Sequence, residues 1–176
     1  MRETPIISAV ENLRVDALYG KKKHFNAADR KDRYNTGIGI FLIIMNVLIA
    51  SNLFYTIQSD IRISCIIISL LGITATILAC VQAFFNYSRT AEHHRTVATK
   101  YLHIVKECSR MKKYYWEGAL AADDLIKRID ELAQKYEQIT EDAISLSTSR
   151  KDYEMARCGI NEGEESYSAR DYNEEE

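Results

Sequence analysis

Apolar residues are concentrated in two blocks near the middle of the chain. Residues 37–57 contain no Asp, Glu, Lys, Arg or His, and neither do residues 63–85. At 1.5 Å per residue the first block would form a helix about 32 Å long, enough to cross the hydrocarbon core of a bilayer. Two buried helices of a soluble bundle would carry charge on one face. The pattern therefore predicts two transmembrane helices.

Residues 58–62 alone separate the two blocks, so the predicted spans form an antiparallel hairpin with a short periplasmic connector. Basic residues flank the hairpin: residues 1–36 hold 8 Lys and Arg against 5 Asp and Glu, and residues 86–118 hold 7 against 3. Because positively charged segments are retained in the cytoplasm, both termini are expected there, with the hairpin in the bacterial inner membrane.

The N-terminal segment, residues 1–36, is predicted to be helical, amphipathic and basic. Pro5 suits the first position of a helix, and Gly20 is expected to end it. The apolar face is formed by Ile6, Val10, Leu13 and Ala17. Beyond Gly20, a lysine-rich stretch is expected to continue as helix into the first span, and such a cluster attracts anionic lipid.

Residues 86–149 predict a pair of long cytoplasmic helices that break at Gly118. The second helix, expected to reach about Ser147, carries apolar residues at alternating steps of four and three, which is a coiled-coil seam. The seam consists of Leu125, Ile129, Leu132, Tyr136, Ile139, Ala143 and Leu146. It could fold back on the preceding helix, which the opposite charge of the two segments favours, or pair with other copies. The predicted fold class is all-α.

The C-terminal segment, residues 150–176, contains 4 Lys and Arg against 9 Asp and Glu and few aliphatic residues. Such a composition buries too little apolar surface to offset its conformational entropy. We therefore expect residues 150–176 to form an acidic tail that is disordered, above all from about Gly159 onward.

Both spans contain residues suited to helix packing or to a polar path. Small residues four apart in the second span let helix backbones approach closely in lipid, whereas amides need a partner there. The candidate residues are Asn46, Asn52, Gly72, Ala75, Thr76, Ala79, Gln82 and Ala83. In a ring of hairpins the polar side chains could line a pore; otherwise they form hydrogen bonds between helices. Self-association is expected.

No motif of a known enzyme class is found, so neither a catalytic residue nor a cofactor is predicted. The four cysteines are widely spaced and fit free thiols better than a zinc site or disulfides. His93 and His94, next to Glu92, are interpreted as solvated or interfacial side chains rather than metal ligands. Direct nucleic-acid binding is not expected, because basic and aromatic residues do not interleave.

A basic helix that enters a two-span hairpin, whose second span continues into further helices, resembles the SLATT domain. The resemblance covers roughly residues 10–146 and includes the spacing of Ala91, His94, Arg95, Ala98 and Tyr101. SLATT domains are two-transmembrane effectors of bacterial nucleotide-signalling conflict systems. The resemblance implies a homo-oligomeric anti-phage effector that permeabilises the inner membrane and arrests or kills the cell.

Under that hypothesis the signal comes from a partner sensor, such as an enzyme that produces a cyclic nucleotide or a reverse transcriptase. The alternative is a membrane anchor or scaffold whose cytoplasmic helices dock a soluble partner enzyme. Replacing the spans with an unrelated hairpin would preserve the activity of an anchor and abolish that of a pore.

Overall fold

A computed structural model describes the backbone of residues 5–59 and 62–165, and the side chains of this range except residues 53–64. It contains five helices: α1 (Pro5–Ser59), α2 (Arg62–Phe85), α3 (Tyr87–Trp116), α4 (Ala122–Asp142) and α5 (Arg150–Asn161). No residue in the described ranges forms a strand, which confirms the predicted all-α class. Residues 60 and 61 of the expected connector lie outside the described residues.

Helix α1 starts at Pro5, where a helix was predicted to begin, but it passes through Gly20 without a break. The prediction that Gly20 ends a short helix is therefore wrong. A Cβ atom at this position would lie 3.1 Å from three carbons of the Tyr101 ring. Gly20 thus provides room for an aromatic ring against the helix backbone rather than a stop signal.

The chain divides into two compact units, and each boundary between them falls inside a helix. The hairpin unit, Asp29–Ala91, contains the end of α1, all of α2 and the start of α3. Both apolar helices are long enough to cross a membrane, and among the described side chains of residues 37–52 and 65–85 only Met45 and Ala75 are buried within the chain. Because bilayer lipid solvates such side chains, the hairpin is an integral membrane element.

Asn86 separates α2 from α3 at the end of the second span. Its φ of 41° lies in the left-handed region, which asparagine tolerates better than most residues. The amide N of Thr90 still donates to the Asn86 carbonyl, so a helical hydrogen bond is kept across the junction of the two helices. Nearby, the rings of Tyr34 and Tyr87 lie 6.0 Å apart and the Lys31 ammonium lies 5.4 Å from the Tyr87 ring. Aromatic and basic side chains of this kind favour the membrane interface.

The helical bundle, which we define as residues 5–28 and 92–165, contains the beginning of α1 with most of α3 and all of α4 and α5. Gly118 adopts a φ of 71° and ends α3, as predicted. The seam of α4 packs within the chain: Leu125, Leu132, Ile139 and Ala143 belong to the buried core, and the other three seam residues pack against it. This is the fold-back arrangement. Helix α4 itself ends at Asp142, before the predicted Ser147.

The segment after Arg150 differs from the prediction of disorder, because Arg150–Asn161 forms helix α5. A capping box starts the helix: the Ser149 hydroxyl accepts from the Asp152 amide N, and the Asp152 carboxylate accepts from the Ser149 amide N. Ala156 and Gly159 are buried with Asp152. Residues 166–176, including the acidic end of the predicted tail, lie outside the described residues.

Candidate functional site

Two buried imidazoles meet in the bundle, one from α1 and one from α3. His24 is 3% exposed and His94 is fully buried. Their Nδ1 atoms lie 3.0 Å apart, so one nitrogen carries the hydrogen and donates a hydrogen bond to the other. If each ring were protonated on both of its nitrogens, two hydrogen-bond donors and two positive charges would face each other. The contact therefore requires that at least one imidazole is neutral.

Burial is the main cause that lowers the pKa of His24 to about 4, and the neighbouring His94 and Lys23 lower it further. The Asp152 carboxylate acts in the opposite direction. His24 is therefore neutral near pH 7. A neutral pair could in principle ligate a metal, but no group of three metal-ligating side chains occurs in the described part of the chain. The 3.0 Å contact itself is a hydrogen bond that joins α1 to α3.

Tyr101 of α3 lies between the His24 imidazole and helix α4. Its ring is 2% exposed and lies 5.9 Å from the His24 ring and 5.5 Å from the Tyr136 ring. Its hydroxyl forms a 3.0 Å hydrogen bond with the hydroxyl of Thr140. With Gly20 against its face, Tyr101 contacts α1 and α4 from α3.

Helix α5 is attached to the same stretch of α1. The Asn26 side-chain amide donates to the Asp152 carbonyl at 3.0 Å. Asp152 is 1% exposed, and its carboxylate caps its own helix. A buried carboxylate needs such donors, because burial of an unpaired charge is costly. One stretch of α1 therefore holds polar contacts to both α3 and α5.

Four of the five SLATT-like positions are buried. Ala91, His94, Ala98 and Tyr101 lie inside, whereas Arg95 is exposed. Steps of three, four and three place the four on one helix face. The interpretation of His94 as a solvated side chain is thus wrong, although His93 and Glu92 are exposed.

His24 was not predicted as a site residue, because it directly follows three lysines and so resembles part of the lysine-rich stretch beyond Gly20. A signal was nevertheless present in the sequence. Ala17, Gly20, His24 and Ala27 recur at steps of three, four and three, and all four are buried. An uncharged residue that continues an apolar face is more simply placed in the core than in a charged cluster.

The candidate polar residues of the spans find partners within one hairpin. Gln82 donates to the Asn35 side-chain oxygen at 3.0 Å. Asn46 donates to the Leu42 carbonyl and Asn52 to the Leu48 carbonyl, each at 2.9 Å. Polar atoms with partners inside their own helix are tolerated in lipid. Each of these three amides therefore has at least one hydrogen-bond partner within the chain.

The small residues of α2 differ in exposure. Ala75 is buried, Gly72 is half-buried, and Thr76, Ala79 and Ala83 are exposed. The Thr76 hydroxyl donates to the Gly72 carbonyl at 2.8 Å, so its polar atom is directed at its own backbone. This face of α2 is thus small and uncovered within the chain.

Two membrane-spanning helices and a helical bundle with a buried polar centre define a two-transmembrane α-helical protein. The chain belongs to the SMODS and SLOG-associating 2TM effector domain family 4 (SLATT_4), whose family model matches residues 8–172. The match confirms the resemblance noted in the sequence and identifies an effector domain of nucleotide-signalling conflict systems. Searches of curated proteins and of solved structures give no significant match.

Proposed function

We propose that this protein is a membrane effector of a bacterial anti-phage defence system. On receiving a signal it oligomerises through its hairpins and permeabilises the inner membrane, which arrests or kills the cell. Both termini and the helical bundle face the cytoplasm, where the signal arises from a partner sensor such as a cyclic-nucleotide-producing enzyme or a reverse transcriptase. Membership of a two-transmembrane effector family supports the assignment.

The observation that carries the proposal is the exposure of the spans, in which only Met45 and Ala75 are buried among the described side chains of residues 37–52 and 65–85. Hydrophobicity alone gives lipid-exposed helices no net drive to associate, so close packing of small residues has to provide it. Thr76, Ala79 and Ala83 form such an uncovered face on α2. The proposed assembly uses this face between neighbouring hairpins.

The polar side chains of the spans support a change between two states. Within a single chain Asn46 and Asn52 donate to carbonyls of their own helix. In the assembly the same amides turn to a water-filled path or to a neighbouring helix. A signal shifts this equilibrium only if it binds one state more tightly than the other.

Two threonines of α2 allow a matched test of the small-residue face. Thr74 and Thr76 are both exposed, and each donates to the carbonyl four residues before it, at 2.9 and 2.8 Å. They differ by about 200° around the helix, so they lie on nearly opposite faces. Leucine at either position removes the same hydrogen bond and adds the same bulk. The two variants differ only in the face that is blocked.

The experiment induces each variant with its sensor active and follows growth and membrane potential with a voltage-sensitive dye, alongside crosslinking of the chain in membranes. We expect the native protein and Thr74→Leu to depolarise the cells and crosslink into oligomers, and Thr76→Leu to lose both properties. Unchanged potential with the native protein would refute the proposal. Activity that survives replacement of both spans by an unrelated hairpin would identify a membrane anchor for a soluble partner instead.

A further inference from the structure

Two adjacent lysines of α1 hold two adjacent glutamates that follow α5. The Lys21 ammonium lies 2.8 and 2.9 Å from the two carboxylate oxygens of Glu165. Lys22 forms an ion pair with Glu164 and lies 3.9 Å from a Glu165 oxygen. Two positive charges are thus matched by two negative charges that lie 142 and 144 residues away along the chain.

The lysines are unusually covered for their type. The side chains of Lys21 and Lys22 are 14% and 11% exposed, whereas that of Glu164 is 61% exposed. Lysine is seldom so enclosed unless it is paired, because a covered ammonium without an anion is costly. Both lysines are therefore enclosed together with their carboxylate partners, and Glu164 is the partner most open to solvent.

Space for a larger anion exists beside the ion pairs. A cavity of about 230 Å³ is lined by the two lysines and two glutamates together with Phe25, Asn26 and Met155. The acidic turn can approach the lysines closely because residue 159 is a glycine. A Cβ atom on Gly159 would overlap the Glu164 carboxylate and lie 2.8 Å from Lys22 Nζ. The glycine lets the acidic turn cross α5 and reach the lysines.

We propose that Lys21 and Lys22 form a binding site for a phosphate-bearing ligand, and that Glu164 and Glu165 occupy this site as an internal competitor. A phosphate monoester or a diphosphate brings two or more negative charges on closely spaced oxygens, which is what the two carboxylates provide here. Lysine binds phosphate as a point charge. Ligand binding requires the turn at residues 162–165 to leave, which frees the end of α5 from α1.

This inference rests on the proposed function, for which the site would supply the signal-dependent switch. Ligand binding at the site can be measured without any membrane permeabilisation. Binding is therefore measured by calorimetry with inorganic pyrophosphate on the full chain in nanodiscs of neutral lipid, where no potential or leakage is involved. Low ionic strength keeps the interaction of charges unscreened. Growth and potential are read in a separate assay, so a failure of the ligand site and a failure of the effector proposal are distinguishable.

Removal of the internal competitor should strengthen binding. Glu164→Gln with Glu165→Gln should bind pyrophosphate about tenfold more tightly than the native chain, because two ion pairs no longer have to break first. The matched control, Glu11→Gln with Asp142→Asn, changes the net charge equally and removes the anionic partners of Lys112 and Lys100. It should leave the affinity unchanged. Equal gains in both variants would show a general charge effect and overturn the site.

The lysines are tested in the same way. Lys21→Gln with Lys22→Gln should abolish pyrophosphate binding, whereas Lys100→Gln with Lys112→Gln should retain it. In the native chain, bound pyrophosphate should raise amide exchange at residues 162–165. Binding without faster exchange in this turn would refute the competition.

A second arm separates a lipid phosphate from a free one. Nanodiscs that contain phosphatidic acid, with no pyrophosphate, should raise exchange at residues 162–165 only if the ligand is a lipid headgroup. Release by pyrophosphate in neutral discs alone assigns the site to a soluble ligand. No release in either arm overturns the proposal.

Discussion

Acidification should weaken the helical bundle through His24. The imidazole has a pKa of about 4 in the folded chain against 6.5 as its ordinary value. Because the folded value is the lower one, the unfolded chain takes up a proton first as the pH falls. His24 therefore makes its full contribution to the free energy of unfolding above pH 6.5, and this contribution declines as the pH falls towards 4.

The size of the effect follows from the two values. At pH 5 the unfolded imidazole is almost fully protonated and the folded one is almost fully neutral. With about 1.36 kcal/mol for each unit of pKa, the bundle should lose about 2 kcal/mol between pH 7.5 and pH 5. That loss corresponds to an increase of about thirtyfold in the population of the open bundle.

Amide hydrogen exchange of α3 in nanodiscs measures this population after correction for the intrinsic exchange rate at each pH. The native chain should show about thirtyfold less protection at pH 5 than at pH 7.5 for buried amides. His24→Gln removes the titrating group and should flatten this dependence, whatever its effect on absolute stability. His103→Gln, at an imidazole whose side chain is 64% exposed, should leave the dependence intact.

Two results would refute the reasoning. Parallel loss of protection in the native chain and in His24→Gln would place the pH dependence elsewhere. Titration of the His24 imidazole in NMR spectra with a midpoint near pH 6.5 would contradict the effect of burial directly.

Three further substitutions, two of them with a matched control substitution, test the packing of the bundle by the same exchange measurement. Leu125→Ala should cost about 2–5 kcal/mol because Leu125 is fully buried, whereas Ile126→Ala, at a side chain 45% exposed, should change stability by less than about 1 kcal/mol. Gly20→Val should cost about 1–3 kcal/mol through overpacking, while Gly37→Val, where an added Cβ would meet nothing within 4 Å beyond its own helix backbone, should leave the bundle unaffected. Ser149→Ala should cost about 1 kcal/mol and speed exchange chiefly in α5. Equal effects of the paired substitutions, or no local effect at Ser149, would contradict these contacts.

The spans and the seam of α4 could be predicted from the sequence because each leaves a long signal. An uncharged apolar block of this length forms a transmembrane helix in a bilayer, and apolar residues at alternating steps of four and three lie on one face of a helix. Leu125, Leu132 and Ile139 are buried where that repeat places them. A pattern that extends over about twenty residues remains recognisable even where single positions depart from it.

Two of the features that the sequence did not reveal, Gly20 and His94, depend on a partner far along the chain, and the third, helix α5, depends on a short local motif. Gly20 looked like a stop signal because its role lies in the ring of Tyr101. Helix α5 looked disordered because its stability rests on the Ser149 capping box and on a few buried small residues rather than on large aliphatic side chains. His94 looked solvated beside His93, although it continues the buried face of Ala91, Ala98 and Tyr101, because its partner His24 lies 70 residues away along the chain.

One stretch of α1, residues 20–26, holds the polar contacts of the bundle that are most sensitive to geometry. Lys21 and Lys22 pair with the turn after α5, His24 with α3, and Asn26 with the start of α5. Apolar contacts tolerate small shifts, whereas hydrogen bonds and ion pairs weaken steeply with them. We therefore expect this stretch to set one discrete arrangement of the bundle. A proton on His24 or an anion on the lysines acts on the same two turns of helix, so either would favour release of that arrangement.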